Sequence, residues 1–302
     1  MPSRILTALL DLQEGPMRLS CSMILWTGLL CSAAQSCTAA ETDDLLEMAR
    51  AALAKGETDQ ALLLADKAIA LDGKRSAAYL LRGAIHDAQH KPKKALSDLN
   101  QVLELDSKAI EAYDLRGSVH FKLGNFRESL ADFDQYLDSK PTQRAGHWRR
   151  GITCYYAGRF DEGRKQFEGY EKVDANDVEN AVWHYLCLAR AEGPDKARAS
   201  ILKIGKDARV PMMQVYALYA GKGKPEDVIA ATEAGKPTPE QLHVRLFYAH
   251  LYLGLYYEVM KDKPRSLEHL TLAADKYRVT QYPGGLGYMG AVARVHMELL
   301  RK

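Results

Sequence analysis

The sequence predicts an all-α fold built from repeated antiparallel helix pairs. The hexapeptide LRGAIH, which begins at residue 81, recurs as LRGSVH at 115 and as RRGITC at 149, so each copy starts 34 residues after the last. Within each half of this period apolar residues recur at helical spacing, as in AYLLRGAIHDA and KALSDLNQVLEL. No segment of useful length shows the alternation of a half-buried strand. The chain is therefore expected to contain helices and no sheet.

Small residues set the register of the repeat. With Gly83, Gly117 and Gly151 at position 8, the units start near residues 42, 76, 110, 144 and 178, and position 20 is small while position 24 is apolar in each. Small residues at positions 8 and 20 allow the two helices of a unit to approach closely, and a larger residue at position 24 fills the gap to the next unit. Because one such pair cannot bury its own apolar face, we expect each pair to pack between neighbours.

The repeat and its interruption divide the chain into four parts. These are a leader at residues 1–40, a repeat array at 41–208, a degenerate helical pair at 209–246, and a repeat-like unit with a capping carboxy-terminal helix at 247–302. In the last part, Gly254 occupies position 8, Ser266 position 20 and Leu270 position 24. The final helix is expected to cap the stack.

The amino-terminal region has the layout of a secretory signal peptide. After Met17, Arg18 gives a positive start, an apolar stretch covers roughly residues 23–34, and small residues lead to Ala40. This stretch is too short to span a bilayer comfortably. We expect export to the periplasm or cell envelope with cleavage after Ala40, and we interpret residues 1–16 as the product of an upstream start.

The cysteines leave two questions open. Residues 34–36, which precede Cys37, are a poor match to a lipoprotein signal, so lipidation of Cys37, and with it attachment to a membrane, is the less favoured alternative to soluble export. Cys154 and Cys187 are the two cysteines of the expected mature chain. They could pair in an oxidising compartment or lie buried as small apolar side chains, and we favour burial.

Charge gives no reason to expect a nucleic acid partner. The 41 basic and 39 acidic residues leave a formal net charge of +2, and no run of like charge forms a tail. A protein that binds nucleic acid through its phosphates needs a concentration of positive charge.

The search for catalytic chemistry yields no candidate residue, so we expect no enzyme, no metal and no cofactor. The segment GLGYMG at 285–290 matches the G-x-G-x-x-G pattern, but that pattern binds a dinucleotide only after a strand of a βαβ unit. We interpret it as a Gly-rich turn before a last helix that starts at Tyr288. The nine histidines form no metal-binding motif. His86 and His120 share repeat position 11, where we expect them to pack between helices.

The repeat resembles the tetratricopeptide repeat (TPR). The residues that carry the resemblance are Tyr79, Gly83, Ala95 and Leu99 in one copy, Tyr113, Gly117, Phe133 and Pro141 in the next, and Trp148, Gly151, Tyr155 and Phe167 in the third. It covers residues 42–208 and implies an α-solenoid with a non-catalytic role as a scaffold or adaptor for proteins or peptides.

A second resemblance concerns the whole layout. A leader, amino-terminal repeats, an irregular middle and the tyrosine-rich segment at 246–277 are similar to NlpI-like periplasmic TPR proteins. This resemblance implies envelope proteases or cell-wall enzymes as partners. Self-association into a homodimer through the helical ends is a further expectation.

The TPR resemblance also places positions 2, 5, 9, 12 and 13 of each unit in a concave groove. From these positions we predict a partner-binding set that joins an aromatic to a polar patch: Asp87, Asp114, Phe121, Lys122, Trp148, Ile152, Tyr155 and Tyr156. Aromatic anchors beside hydrogen-bonding groups suit an extended peptide or a helix. For Trp148 and Tyr155, simple packing between helices is an open alternative. The lysines and asparagines with which some TPR proteins grip a terminal carboxylate are missing.

The alternative function is that of an enzyme-associated or ligand-binding helical protein with a site in residues 209–302. The broken repeat and the Gly-rich segment both fall there. In the same region Tyr248, Tyr252 and Tyr256 step by four along one helix face, which we interpret as a packing seam rather than a binding surface.

Overall fold

The computed structural model describes residues 29–302, with side chains from residue 38. All regular structure in this range is helical, as the sequence predicts. Most of the predicted leader and the side chain of Cys37 lie outside the described residues. The chain divides into two compact units, one up to Val119 and one from His120 onward.

The amino-terminal unit consists of antiparallel helix pairs. Its helices are α1 (Leu29–Ala54), α2 (Thr58–Leu71), α3 (Ser76–Ala88), α4 (Pro92–Leu105) and the larger part of α5 (Ile110–Lys122). Its core contains Leu46, Leu64, Leu81 and Ile85, which are at most 5% exposed. Helix α1 continues without interruption through Ala40, where the predicted leader ends.

The carboxy-terminal unit begins with regular pairs, continues through short helices and ends with two long helices that flank a shorter one. Its helices are α6 (Phe126–Ser139), α7 (Trp148–Tyr156), α8 (Phe160–Tyr170), α9 (Val178–Glu192), α10 (Pro194–Ala199), α11 (Met212–Tyr219), α12 (Pro225–Ala231), α13 (Pro239–Val259), α14 (Lys263–Thr271) and α15 (Gly284–Arg301). A 3₁₀ turn at Pro141–Gln143 and a π-helical turn at Leu272–Lys276 complete it. Its core is rich in aromatic side chains, including Trp183, Tyr185, Tyr219 and Phe247.

The glycine at repeat position 8 lies against the residue at position 24. A methyl group placed on Gly151 would lie 2.6 Å from Phe167 Cζ, and one on Gly254 would lie 2.6 Å from Leu270 Cγ. Real Cβ atoms do not approach other atoms this closely, so only glycine allows these helices their observed separation. In the last pair the Ser266 hydroxyl also donates to the Gly254 carbonyl at 2.7 Å. The register predicted for the repeat that starts at residue 144 and for the repeat-like unit at 247–302 therefore describes real contacts.

In the repeats that start at residues 76, 110 and 144, an arginine at position 7 joins the repeat to the one before it. Its guanidinium donates to a side chain 16 residues earlier, in the second helix of the preceding pair. The three bonds are Arg82 to Asp66 at 2.8 Å, Arg116 to Asn100 at 3.0 Å and Arg150 to Asp134 at 2.6 Å. This recurring bond gives a physical reason for the arginine that every copy of the motif contains.

The middle of the carboxy-terminal unit departs from the repeat. Helix α10 ends at Ala199, and residues 200–211 form no helix where a full repeat would continue one. Arg209 fastens this segment to the start of α9, with bonds of 2.6 Å to Asp177 and 2.5 Å to Glu179. Burial acts to raise the pKa of Asp207, but hydrogen bonds from Arg209 offset it and hold that pKa below its ordinary value. The two short helical stretches expected after residue 209 are α11 and α12.

The glycine-rich segment near the carboxy terminus is helical, and the prediction of a turn there is wrong. Helix α15 begins at Gly284, so residues 285–290 lie within its first two turns. A methyl group on Gly287 would overlap the carbonyl oxygen of Tyr282, and one on Gly290 would lie 2.9 Å from Thr280 N. These glycines let α15 pack directly on the backbone that leads into it. Close packing explains the pattern without a nucleotide.

Among residues 29–302, no helix has the length and apolarity needed to cross a lipid bilayer.

Candidate aromatic binding face

Six of the eight predicted partner-binding residues lie in the carboxy-terminal unit, on α5 and α7. Phe121, Ile152 and Tyr155 are buried, at 0%, 1% and 5% exposure, whereas Trp148 and Tyr156 are half-buried. The rings of Phe121 and Tyr156 are 5.3 Å apart in an edge-to-face arrangement, and those of Tyr155 and Tyr156 are also 5.3 Å apart. We refer to Phe121, Trp148, Tyr155 and Tyr156 as the aromatic face.

Helix α15 of the same chain covers part of the aromatic face. Tyr288 stacks on Phe121 with a centroid distance of 5.2 Å and meets Trp148 edge-to-face at 5.3 Å. Gly285, one turn earlier, is close enough for an added methyl group to lie 3.6 Å from Trp148 Cζ2. Such ring pairs contribute about 0.5–1.5 kcal/mol beyond the area they bury. The first turns of α15 thus occupy a niche between α5 and α7.

The second half of α15 is attached by hydrogen bonds. The Tyr156 hydroxyl lies 2.8 Å from His296 Nδ1, and the two rings meet edge-to-face at 5.6 Å. Arg294 Nη2 donates to the Lys122 carbonyl at 3.4 Å. The Lys122 side chain is half-buried.

Glu258 of α13 is the charged group next to the aromatic face. Its Oε1 accepts a hydrogen bond from Arg190 at 3.1 Å, and its Oε2 accepts one from the Tyr155 hydroxyl at 3.1 Å. His296 Nε2 lies 3.2 Å from the same Oε2. Burial acts to raise the pKa of Glu258, but the hydrogen bond and charge of His296 and the charge of Arg190 outweigh it and lower that pKa. Four helices, α7, α9, α13 and α15, therefore meet at one carboxylate.

The two remaining predicted residues, Asp87 and Asp114, belong to the amino-terminal unit. Both are half-buried, and both have interaction partners. Binding of a partner by the eight residues as a set stays a prediction.

Three residues near the aromatic face were not singled out from the sequence: Glu258, Tyr288 and His296. Their repeat positions gave no reason to place them beside α7. One signal was available, because Gly285, Tyr288 and His296 follow spacings of three and eight, which put them on one side of a helix.

His86 and two residues of the tyrosine stripe, Tyr248 and Tyr252, take part in packing between helices. His86 is buried, its Nε2 lies 3.9 Å from Asp98 Oδ2, and burial lowers its pKa. In the tyrosine stripe, Tyr252 is buried and its hydroxyl donates to Glu179 at 2.5 Å. Tyr248 stacks on Tyr252 at 6.3 Å. Within the described part of the chain, no three His, Cys, Asp or Glu side chains are grouped as metal ligands would be.

Both cysteines of the expected mature chain are free and buried. Gly163 lies between them, since a methyl group on it would be 2.8 Å from Cys187 Sγ and 3.3 Å from Cys154 Cβ. Burial raises the pKa of the Cys154 thiol to about 11 and raises that of Cys187 further. The favoured interpretation, two small buried side chains, agrees with this environment.

Comparison with known proteins identifies the repeat. The fold defines a helical repeat protein of the solenoid class. The family model for the tetratricopeptide repeat matches residues 46–110 and 115–178. Residues 46–110 and 115–178 are therefore tetratricopeptide repeats, and they make up less than half of the chain. No curated protein sequence matched the chain.

Two solved structures show the same fold. A tetratricopeptide repeat protein from Parabacteroides merdae is 16% identical, with a TM-score of 0.52 over 87% of this chain and 99% of that one. YrrB, a TPR protein with an unusual peptide-binding site, is 17% identical, with a TM-score of 0.50 over 63% of this chain and 90% of that one. At these identities the likeness concerns the fold alone. The TPR fold serves protein interaction and is generally non-catalytic.

Proposed function

We propose that this chain is a non-catalytic scaffold that binds protein or peptide partners through its repeats. The observation that carries the proposal is the aromatic face, which already accommodates a helix, α15, through ring contacts and hydrogen bonds. Clusters of aromatic side chains of this kind are typical anchors of protein interfaces. The glycine pattern that suggested a ligand site in residues 209–302 is explained by packing, so the scaffold is the better supported function.

We further propose that the scaffold acts in the cell envelope after export. The leader-like sequence between Met17 and Ala40 supports this, and the resemblance to NlpI-like proteins suggests envelope proteases or cell-wall enzymes as partners. Expression from Met17 in a diderm bacterium, followed by mass spectrometry of the mature protein, tests it. An amino terminus at Glu41 supports soluble export. A lipid on Cys37 places the protein on a membrane, and an uncleaved cytoplasmic product contradicts export.

Partner binding is tested by affinity capture of the mature protein with its copurifying proteins. We expect Trp148→Ala to lose the captured partner, because this substitution removes the ring at the entrance of the aromatic face. Glu233→Ala, at an exposed site away from that face, is the matched control. Thermal unfolding of both variants separates loss of binding from loss of fold. Capture that is unchanged by Trp148→Ala in a folded protein would contradict binding at the aromatic face.

A further inference from the structure

Helix α15 meets the aromatic face as an amphipathic ligand helix would. Gly285, Tyr288 and His296 lie on one side of α15. Tyr288 contacts Phe121 and Trp148, and His296 contacts Tyr156. An amphipathic helix bound in a groove uses anchors at such spacings. These contacts join residues that lie far apart in the chain, and they consist of ring contacts and hydrogen bonds.

The opposite side of α15 is held in a different way. Gly287 and Gly290 pack on the backbone and side chains of residues 279–282. Val279, in this connecting segment, is completely buried. Helix α15 therefore has one side that belongs to its own hairpin and another that reaches across to α5 and α7.

We propose that the aromatic face is a binding site for an amphipathic helix of a partner protein and that α15 occupies this site in the unbound chain. The inference rests on the proposed scaffold function and specifies its partner class. The residues of α15 that meet the face define the pattern expected in the partner helix. The partner should have a small residue and, one turn later, an aromatic residue, as at Gly285 and Tyr288. Eight residues after the aromatic residue it should have a side chain that forms a hydrogen bond with the Tyr156 hydroxyl, as His296 does. A basic residue two positions before that side chain reaches the carbonyl of Lys122, as Arg294 does.

One buried hydrogen-bond donor lies beside the aromatic face. The indole of Trp183 is 1% exposed and lies 5.6 Å from the ring of Tyr155 and 6.3 Å from that of Tyr156. Within residues 29–302, its Nε1 has no hydrogen-bond acceptor. A buried donor without an acceptor costs free energy, so the packing beside the aromatic face is not fully satisfied.

The test uses the full chain and a defined probe, a fluorescent synthetic peptide of residues 283–302. Its binding is measured by anisotropy to the wild-type chain and to the Tyr288→Ala/His296→Ala chain, in which α15 has lost both anchors. We expect the double variant to bind the peptide at least tenfold more tightly. Adding Trp148→Ala to it should abolish that gain. Leu299→Ala, at an exposed site on α15, is the control and should behave as the wild type.

Three results would overturn the proposal. They are equal binding by the wild type and the double variant, binding that survives Trp148→Ala, and no binding by a double variant that circular dichroism shows to be folded. If the double variant is unfolded, hydrogen exchange on the wild-type chain replaces it. Saturating peptide should then accelerate exchange in residues 284–301, and unchanged exchange there would equally overturn the proposal.

The outcome is separable from that of the scaffold function. A captured partner that the peptide displaces supports both proposals. A captured partner that the peptide leaves bound contradicts the helix-binding site alone. Peptide binding without any captured partner contradicts the scaffold function while the site itself stands.

Discussion

Tyr156 and His296 lie 140 residues apart in the chain, and the Tyr156 hydroxyl is 2.8 Å from His296 Nδ1. This bond joins a helix of the regular repeats to the last helix, across the short helices between them. Hydrogen bonds of this kind contribute about 0.5–1.5 kcal/mol each. The free energy of this bond therefore reports how strongly α15 is attached to the aromatic face.

A double-mutant cycle should detect this bond. We expect Tyr156→Phe and His296→Ala to lower the free energy of unfolding by less together than the sum of their separate effects, with a coupling of about 1 kcal/mol. Urea unfolding of the four proteins gives the coupling. Additive effects would mean that the bond is not formed in solution. A cycle with Tyr156→Phe and Leu299→Ala, whose side chain is exposed, should give no coupling.

The glycines of α15 should differ sharply in their tolerance of alanine. We expect Gly287→Ala to lower the free energy of unfolding by about 1–3 kcal/mol, because its methyl group would overlap the Tyr282 carbonyl. Gly285→Ala should be neutral or stabilising, since its methyl group would meet Trp148 Cζ2 at 3.6 Å and alanine favours the helix. Thermal or urea unfolding decides this. Equal effects of the two substitutions would contradict the packing explanation.

Two aspartates that pair with arginines should contribute to stability according to their burial. Asp98 is 5% exposed and accepts two bonds from Arg82, at 3.0 and 2.7 Å, so we expect Asp98→Ala to cost about 2–3 kcal/mol. Asp43 pairs with Arg75 at the surface, where their side chains are 51% and 45% exposed. Asp43→Ala should cost no more than about 1 kcal/mol. Chemical denaturation compares the two, and a similar cost for both would show that burial is not the cause.

Glu258 should make stability depend on pH in a defined direction. Because its folded-state pKa is lowered, it contributes stability above its unfolded pKa, near 4.5, which is lost as the pH falls through the folded pKa. Glu258→Gln cannot titrate, so the difference in unfolding free energy between wild type and variant should shrink as the pH falls from 7 towards 3. Glu179, whose pKa burial raises, is common to both proteins and cancels in the difference. A difference that stays constant below pH 4.5 would contradict the lowered pKa.

The two thiols should be unreactive in the native protein. Burial keeps Cys154, with a pKa of about 11, protonated at pH 8, and it excludes reagents from both sulfur atoms. We expect neither Cys154 nor Cys187 to react with a disulfide reagent at pH 8, and both to react after denaturation. Native reaction of one thiol would contradict its burial. Absence of reaction in denaturant without a reductant would indicate a disulfide in the isolated protein.

The sequence was most informative about contacts between neighbouring helices. The same contacts between two helices recur in each repeat, so repeat positions could be assigned to Gly254, Ser266 and Leu270. In the structure, Gly254 contacts both of the other residues. The packing role of Tyr252 could also be inferred from spacing alone.

The sequence was least informative about contacts between helices that lie far apart in the chain. The approach of Tyr288 to Phe121 depends on how the irregular middle, with its short α10 and the non-helical residues 200–211, turns the chain. No periodic pattern encodes that turn. The helical course of residues 284–290 was missed for a related reason, because glycines usually mark turns and their role as contact sites appears only when the opposing backbone is known.

The bond between Tyr156 and His296 also limits how this chain can change in length. A 34-residue insertion between α2 and α3 would add a unit without altering any residue between these two partners. The same insertion between residues 157 and 283 would move α15 away from α7. Copy number should therefore vary among descendants of this sequence in the amino-terminal unit, whereas the segment between Tyr156 and His296 should keep a constant number of helices.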